Sequence, residues 1–232
     1  MTTSDEPRHG FWGELTPEER TALRAAGSWA RFPTDARIFV EHDTTTDHVV
    51  IIWAGLAKVL ARAHAQQDVL LALRGTGDLI GEMAGIAARG RCATVTAIND
   101  VTALVVPADR FSRFLSEFSR VFLVLQRILV NRLRDCDSCR VTNASLAVGQ
   151  RLALLLLQLE HQYGVPARGG GTAIALDLSQ KDLAAFIGAS QRAVARELES
   201  WRQRDIIATG RLRVVVKQPL ALQRIAGRGG AP

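Results

Sequence analysis

Along this chain of 232 residues the spacing of apolar positions changes twice. From Phe11 to Gly27 the pattern is helical, with Thr16 and Pro17 as an N-cap and first-turn pair and Gly27 as a C-cap. Short runs rich in β-branched residues follow at 36–40, 48–55, 56–62, 69–74, 92–98 and 101–106, separated by turns carrying Gly, Asp, Asn and Thr. Many short strands without long helices between them predict antiparallel pairing in a roll or barrel. Past Pro107 the helical period returns. "ADRFSRFLSEF" reads as a short helix and residues 119 to about 145 as a long one. In the long helix Phe122, Leu125, Leu129, Leu133 and Cys136 recur at threes and fours as a narrow seam. That seam suits a coiled-coil contact between two copies of the chain. Packing on the chain's own strands serves the first half nearly as well, whereas the polar stretch "RLRDCDSCRVTNAS" favours a two-fold interface. The last third holds a helix from about Val148 to Tyr163, the loop "GVPARGGG", the segment "TAIALDLS", two helical patterns and the hairpin-like "DIIATGRLRVVVKQP". The tail "GRGGAP" is expected to be disordered. No internal repeat is found.

Charge divides the chain where the period does not. Residues 1–149 carry 17 basic and 17 acidic residues, and residues 150–232 carry 12 and 6, so the whole net charge of +6 sits in the last third. A neutral front and a basic back suggest two modules, the second suited to a polyanion. A basic surface kept for solubility is the plainer alternative. The longest apolar run, Leu152 to Leu157, is far short of a membrane span. "MTTSDEPRHG" has no apolar h-region, so a cytoplasmic protein that does not meet a membrane is expected. Three cysteines are an odd number, which argues for reduced thiols.

The basic third contains "LSQKDLAAFIGASQRAVARELESW" (178–201). Ser179 with Asp182 is a capping box that opens a short helix, and Leu183, Ala184 and Ile187 share its inner face. Gly188 supplies a left-handed turn residue, and Ser190 is placed to cap a second helix. There Val194, Leu198 and Trp201 fall in one sector, while Gln191, Arg192, Ala195, Arg196 and Glu199 fall opposite. This is the sequence form of a helix-turn-helix, whose second helix reads the major groove. Arg matches guanine and Gln matches adenine. Arg211, Arg213 and Lys217 would line a wing beside the phosphates.

The stretch "GEMAGIAARGRCATV" (81–95) sets Glu82 and Arg91 nine positions apart among small residues. It reads either as a phosphate cradle or as an ordinary loop between strands. With "GDLIGEMAGIAARGRCATVTA", the long helix and the reader in this order, the chain resembles the cyclic-AMP receptor (Crp/Fnr) family of bacterial transcription regulators over nearly its full length. The resemblance implies an α+β protein. Its parts would be an antiparallel, cyclic-nucleotide-binding-like β-roll over 1–118, a dimerisation helix over 119–147 and a winged helix-turn-helix over 148–232. It implies a homodimer bound to a two-fold promoter operator, with RNA polymerase as a further partner and a cyclic nucleotide, cAMP or cGMP, as effector. Glu82 would accept the ribose 2′-hydroxyl and Arg91 would pair with the cyclic phosphate. Backbone amides from Gly81 onward, Met83 among them, would add donors. An Arg–Glu pair serving as an internal salt bridge is the alternative. The DNA side would use Ser179, Ser190, Gln191, Arg192, Arg196, Arg211 and Arg213.

Three departures from the family pattern bear on function. The residue after the arginine, often Ser, Thr or Ala, is Cys92, a weak donor. The positions facing the base fall near Cys136 and Asp137, where the cyclic-AMP receptor presents hydroxyls. The usual Arg-Glu after the capping Ser is Gln191-Arg192, so a different operator is expected. Cys92, Cys136 and Cys139 also admit a redox- or metal-responsive regulator, and a sensor acting through a protein partner is a further alternative. The five histidines show no ligand spacing. No Walker loop, nucleophile elbow or metal-ligand cluster points to an enzyme. Replacing Arg91 with Ala is expected to abolish the effector response while leaving the fold intact.

Overall fold

In the computed structural model, which describes residues 6–62, 68–87, 89–174, 176–210 and 213–227, the N-terminal helical pattern resolves into two helices. They are α1 (Gly10–Gly13) and α2 (Pro17–Ala26). Thr16 causes the division. Its Oγ1 accepts the Glu19 N–H, and the Glu19 carboxylate accepts the Thr16 N–H at 2.7 Å, a reciprocal cap that starts a new helix. Gly27 is the C-cap in extended backbone, as expected from its place.

Eight strands follow in the first part of the chain among the described residues: β1 (Ser28–Phe32), β2 (Arg37–Phe39), β3 (His48–Ala54), β4 (Ala57–Arg62), β5 (Asp68–Arg74), β6 (Leu79–Ile80), β7 (Thr94–Ala97) and β8 (Val101–Pro107). The helix α3 (Glu82–Ala87) lies between β6 and β7. The strands pair antiparallel in two four-stranded sheets, ordered β1-β8-β3-β6 and β2-β7-β4-β5. Strand β3 explains the layering. Val50 and Ile52 face a core shared with Phe39, Ile80 and Val95, whereas Val49, Ile51 and Trp53 face a second core on the other side. That second core contains Phe11, Trp12 and Leu23 with Phe111 and Phe114 of α4 (Ala108–Glu117). A strand buried on both faces reads as a continuous apolar run, which is how "HVVIIWAG" looks.

The long helix is α5 (Ser119–Ser145). Val121, Val124 and Leu125 are buried in the second core, with Ile128 and Leu129 packed against it. Phe122 and Leu133 are 45% and 62% exposed. The single seam read from sequence is therefore two faces. One is closed on the chain's own roll, and the other is open and also carries Leu123 and Val130. Arg120 ties the start of α5 to α2, donating from Nε to Glu19 Oε1 at 2.9 Å.

The chain forms two units, Met1–Asp135 and Cys136–Pro232, and α5 passes from one into the other. In the second unit α6 (Val148–Tyr163) buries Leu152, Leu155, Leu156 and Leu159. The expected loop after it contains β9 (Gly164–Pro166), paired with β10 (Thr172–Ile174). Then come α7 (Gln180–Phe186), α8 (Gln191–Gln203), β11 (Ile207–Gly210), β12 (Arg213–Val216) and α9 (Pro219–Ile225). The sheet runs β11-β12-β10-β9. Most of the expected disordered tail lies outside the described residues. No helix among the described residues is long and apolar enough to cross a membrane.

Candidate functional site

The stretch 81–95 starts where β6 ends. Gly81 has φ +88°, and a Cβ there would stand 2.7 Å from the Phe39 ring and 2.9 Å from Arg91 Nη1. Only glycine fits both the conformation and the space. Arg91 is 4% exposed and lies with its guanidinium carbon 3.9 Å from the centre of the Phe39 ring. Its Nε donates to Thr46 Oγ1 at 3.1 Å and its Nη1 to the Gly81 carbonyl at 2.8 Å. Its Nη2 donates to the carbonyls of Thr46 and His48 at 2.9 and 2.8 Å. A guanidinium has five N–H groups, so one, on Nη1, is left over. Burial pushes the Arg91 pKa down, and the nearby Asp43 and Asp47 carboxylates offset part of that.

The loop before β3 is thus gathered around one arginine. The main chain joins in: Arg91 N–H donates to the Asp43 carbonyl at 2.9 Å, and His42 N–H to the Arg91 carbonyl at 2.8 Å. Hydrogen bonds from Thr45 hold the Asp43 carboxyl down at about 2. His48 is half-buried, and burial first and the Arg91 charge second push its pKa down. These contacts argue against the expectation that Arg91→Ala leaves the fold intact, because its loss removes the donor from three partly buried carbonyls.

Glu82 is buried and forms an ion pair with Arg132 of α5, whose Nη2 also donates to the Leu79 carbonyl at 2.7 Å. An open cleft lies here, with about 510 Å³ of space that includes open solvent at its mouth. Phe39, Val59, Ile80, Met83 and Val95 supply its apolar walls. Its charged lining is Arg74, Arg91, Arg132 and Glu82. Three cations against one anion suit an anionic occupant. Gly81, Met83 and Cys92 line the cleft as well, with Met83 and Cys92 exposed. Cys136 and Asp137 are exposed on α5 and belong to the second unit. Arg74 and Arg132 escaped the sequence reading. Arg132 carried a signal, since it extends the inward series 121, 124, 125, 128 with a charge where an apolar residue would fit.

In the second unit Ser179 Oγ accepts the Asp182 N–H at 3.1 Å, and Asp182 accepts the Ser179 N–H at 3.0 Å. The Ser179 hydroxyl donates to the same carboxylate at 2.6 Å, so this side chain is committed to capping α7. Gly188 turns the chain at φ +60°, and Ser190 caps α8 by accepting the Ala193 N–H at 3.2 Å. Leu183, Ala184 and Ile187 are buried with Val194, Leu198 and Trp201, as the sequence pattern implies. Gln191, Arg192 and Arg196 stand exposed on α8, and Arg213 on β12. Arg211 lies outside the described residues. Lys217 differs from expectation: it follows β12 and pairs with Asp205 at 2.5 Å, so its charge is compensated. A helix-turn-helix with a hairpin beside it is the result.

Two family models match this chain, a cyclic nucleotide-binding domain over residues 29–118 and a Crp-like helix-turn-helix domain over residues 150–225. The chain belongs to the Crp/Fnr family of transcription regulators. Its relatives include a CRP-like cAMP-activated global transcriptional regulator of Mycobacterium tuberculosis. That protein is 27% identical over 219 residues, 94% of this chain and 97% of the relative. The global nitrogen regulator of Nostoc sp. is 26% identical over 195 residues, 83% and 86% of the two chains. Among solved structures, the c-di-GMP-responsive global regulator CLP of Xanthomonas campestris shares the fold with a TM-score of 0.77 at 19% identity. The match covers 87% of this regulator and 99% of CLP. The cleft described above falls mostly within the cyclic nucleotide-binding match and the α7–α8 pair within the helix-turn-helix match. This regulator therefore binds DNA through its second unit.

Proposed function

We propose that this regulator is a cytoplasmic homodimer whose roll binds an anionic effector, and that effector binding changes its affinity for a two-fold promoter operator. The observation that carries this reading is the cleft with three arginines and one buried glutamate. A cyclic nucleotide, cAMP or cGMP, fits the charge of this lining. The name of the Mycobacterium tuberculosis relative mentions cAMP and that of the structural neighbour CLP mentions c-di-GMP, so the lining of this chain has to decide between ligands. The remaining Nη1 hydrogen of Arg91 and the main-chain N–H groups from Gly81 through Met83 would receive the phosphate. Glu82 would accept a ribose hydroxyl, with Arg132 neutralising it. Cys92 borders the cleft and offers only a weak donor. Residues 1–118 would act as sensor, 119–147 as dimerisation helix and 148–232 as reader. The open apolar face of α5, with Phe122, Leu123, Val130 and Leu133, supports contact with a second copy. RNA polymerase would be the further partner at the promoter, and no catalytic role is assigned.

A redox- or metal-responsive reading has less support. The three cysteines are exposed and unpaired with one another, and among the described residues no group of three or more metal-ligating side chains comes together. A sensor that acts through a protein partner is separated by salt, because DNA binding falls steeply with log salt concentration. Thermal melting of the full chain with cAMP, cGMP and c-di-GMP, with and without reductant, tests the proposal. A saturable rise is expected with one nucleotide, ~2.7 kcal/mol at a hundredfold excess over Kd. No shift with any of them, or a shift from reductant alone, rejects it.

A further inference from the structure

The first two turns of α8 present arginine and glutamine and hold back carboxylates. Gln191, Arg192 and Arg196 are exposed, and at about 100° per residue they span a sector of roughly 140°. Arg196 approaches Glu197 only at 4.0 Å. Ala195, small and half-buried, lies between Gln191 and Arg192 on that sector. The acid on the same side, Glu199, is two turns in and already engaged. It accepts from Arg202 at 2.6 Å and from Gln203 Nε2 at 3.1 Å.

This arrangement limits which bases the helix can specify. In the major groove guanine offers two acceptors that match an arginine, and adenine offers the acceptor and donor that match a glutamine. Cytosine offers a donor that a carboxylate matches, and no exposed carboxylate stands on the first turns of α8. Arg192 and Arg196 are one helical turn apart, ~6 Å along the axis, or about two base-pair steps of ~3.4 Å. We propose that each operator half-site is specified by two guanines about two steps apart, read by Arg192 and Arg196, and by an adenine read by Gln191. No position is specified through a carboxylate–cytosine contact. The inference rests on the second unit reading DNA sequence.

Selection from a random duplex pool at fixed salt tests it, using the full chain and the variants Arg192→Ala, Arg196→Ala, Gln191→Ala and Glu199→Gln. These side chains are exposed or half-exposed, so folding is not at stake. The native chain should enrich two guanines and one adenine per half-site. Each arginine variant should relax one guanine position by roughly 5- to 150-fold, Gln191→Ala should relax the adenine, and Glu199→Gln should change nothing. A cytosine preference lost in Glu199→Gln overturns the inference. So do arginine variants that weaken every sequence equally and lower the salt slope, the behaviour of phosphate anchors. A pool with no enriched sequence at any salt defeats sequence reading by this unit, and the inference with it. Enrichment without the paired guanines defeats the inference alone.

Discussion

Arg91 in the roll and Arg196 in the reader are the same side chain in opposite surroundings. Arg91 is 4% exposed, with four of its N–H groups on Thr46, Gly81 and His48. The Arg196 side chain is 77% exposed and among the described residues meets Glu197 at the limit of an ion pair. One holds a loop to a sheet, and the other waits for a partner outside the protein. Motif position alone makes both into ligand-binding arginines. Their hydrogen bonds separate a residue that builds its site from one that only uses it. The same contrast holds for acids, with Glu82 buried against Arg132 and Glu199 on an exposed helix face beside Arg202.

Mutations should widen this contrast. The largest effect is expected for Arg91→Ala, which takes the donor from three partly buried carbonyls, each worth up to ~1–3 kcal/mol. Chemical denaturation should show a loss of about 4 kcal/mol; a loss below ~1 kcal/mol would make Arg91 a ligand contact only. Next comes Glu82→Ala, which leaves Arg132 without its buried partner and should cost about 3 kcal/mol. A wild-type denaturation midpoint would show the pair to be dispensable. On the reader side Arg196→Ala should leave stability within ~0.5 kcal/mol and weaken operator binding by ~1–3 kcal/mol. Equal binding by variant and parent in a titration would remove Arg196 from the interface. The smallest effect concerns pH. The folded protein holds the His48 pKa below its ordinary 6.5, so the unfolded chain takes up a proton that the folded one refuses. This contribution is present above pH 6.5 and is lost as pH falls through that value toward the folded pKa. Melting temperature should therefore decline just below pH 6.5, and His48→Asn should flatten that decline.

The sequence shows the elements clearly where period and caps agree. Thr16, Ser179 and Ser190 each start the helix they were expected to start, and β3 and β8 follow their apolar runs. Strand β1 is hard to see in the sequence because "SWARF" has no β-branched residue and is largely exposed, and its pairing with β8 is non-local. Strand β6 has only two residues, too few for any period. In the cleft, Gly81, Glu82 and Arg91 come together as their spacing implies. Arg132 comes from fifty residues downstream, and its pairing with Glu82 depends on how α5 packs on the roll. The two faces of α5 were merged for a related reason. Leu125 and Phe122 have the same character in sequence, and only burial tells which one is already covered.

Control of DNA binding by an anion in the roll is the central claim, and the most direct measurement is operator affinity at fixed salt with and without cAMP or cGMP. Coupled sites predict a change of ~5- to 150-fold with one of the two nucleotides. Identical affinity in the presence of saturating amounts of either would contradict it.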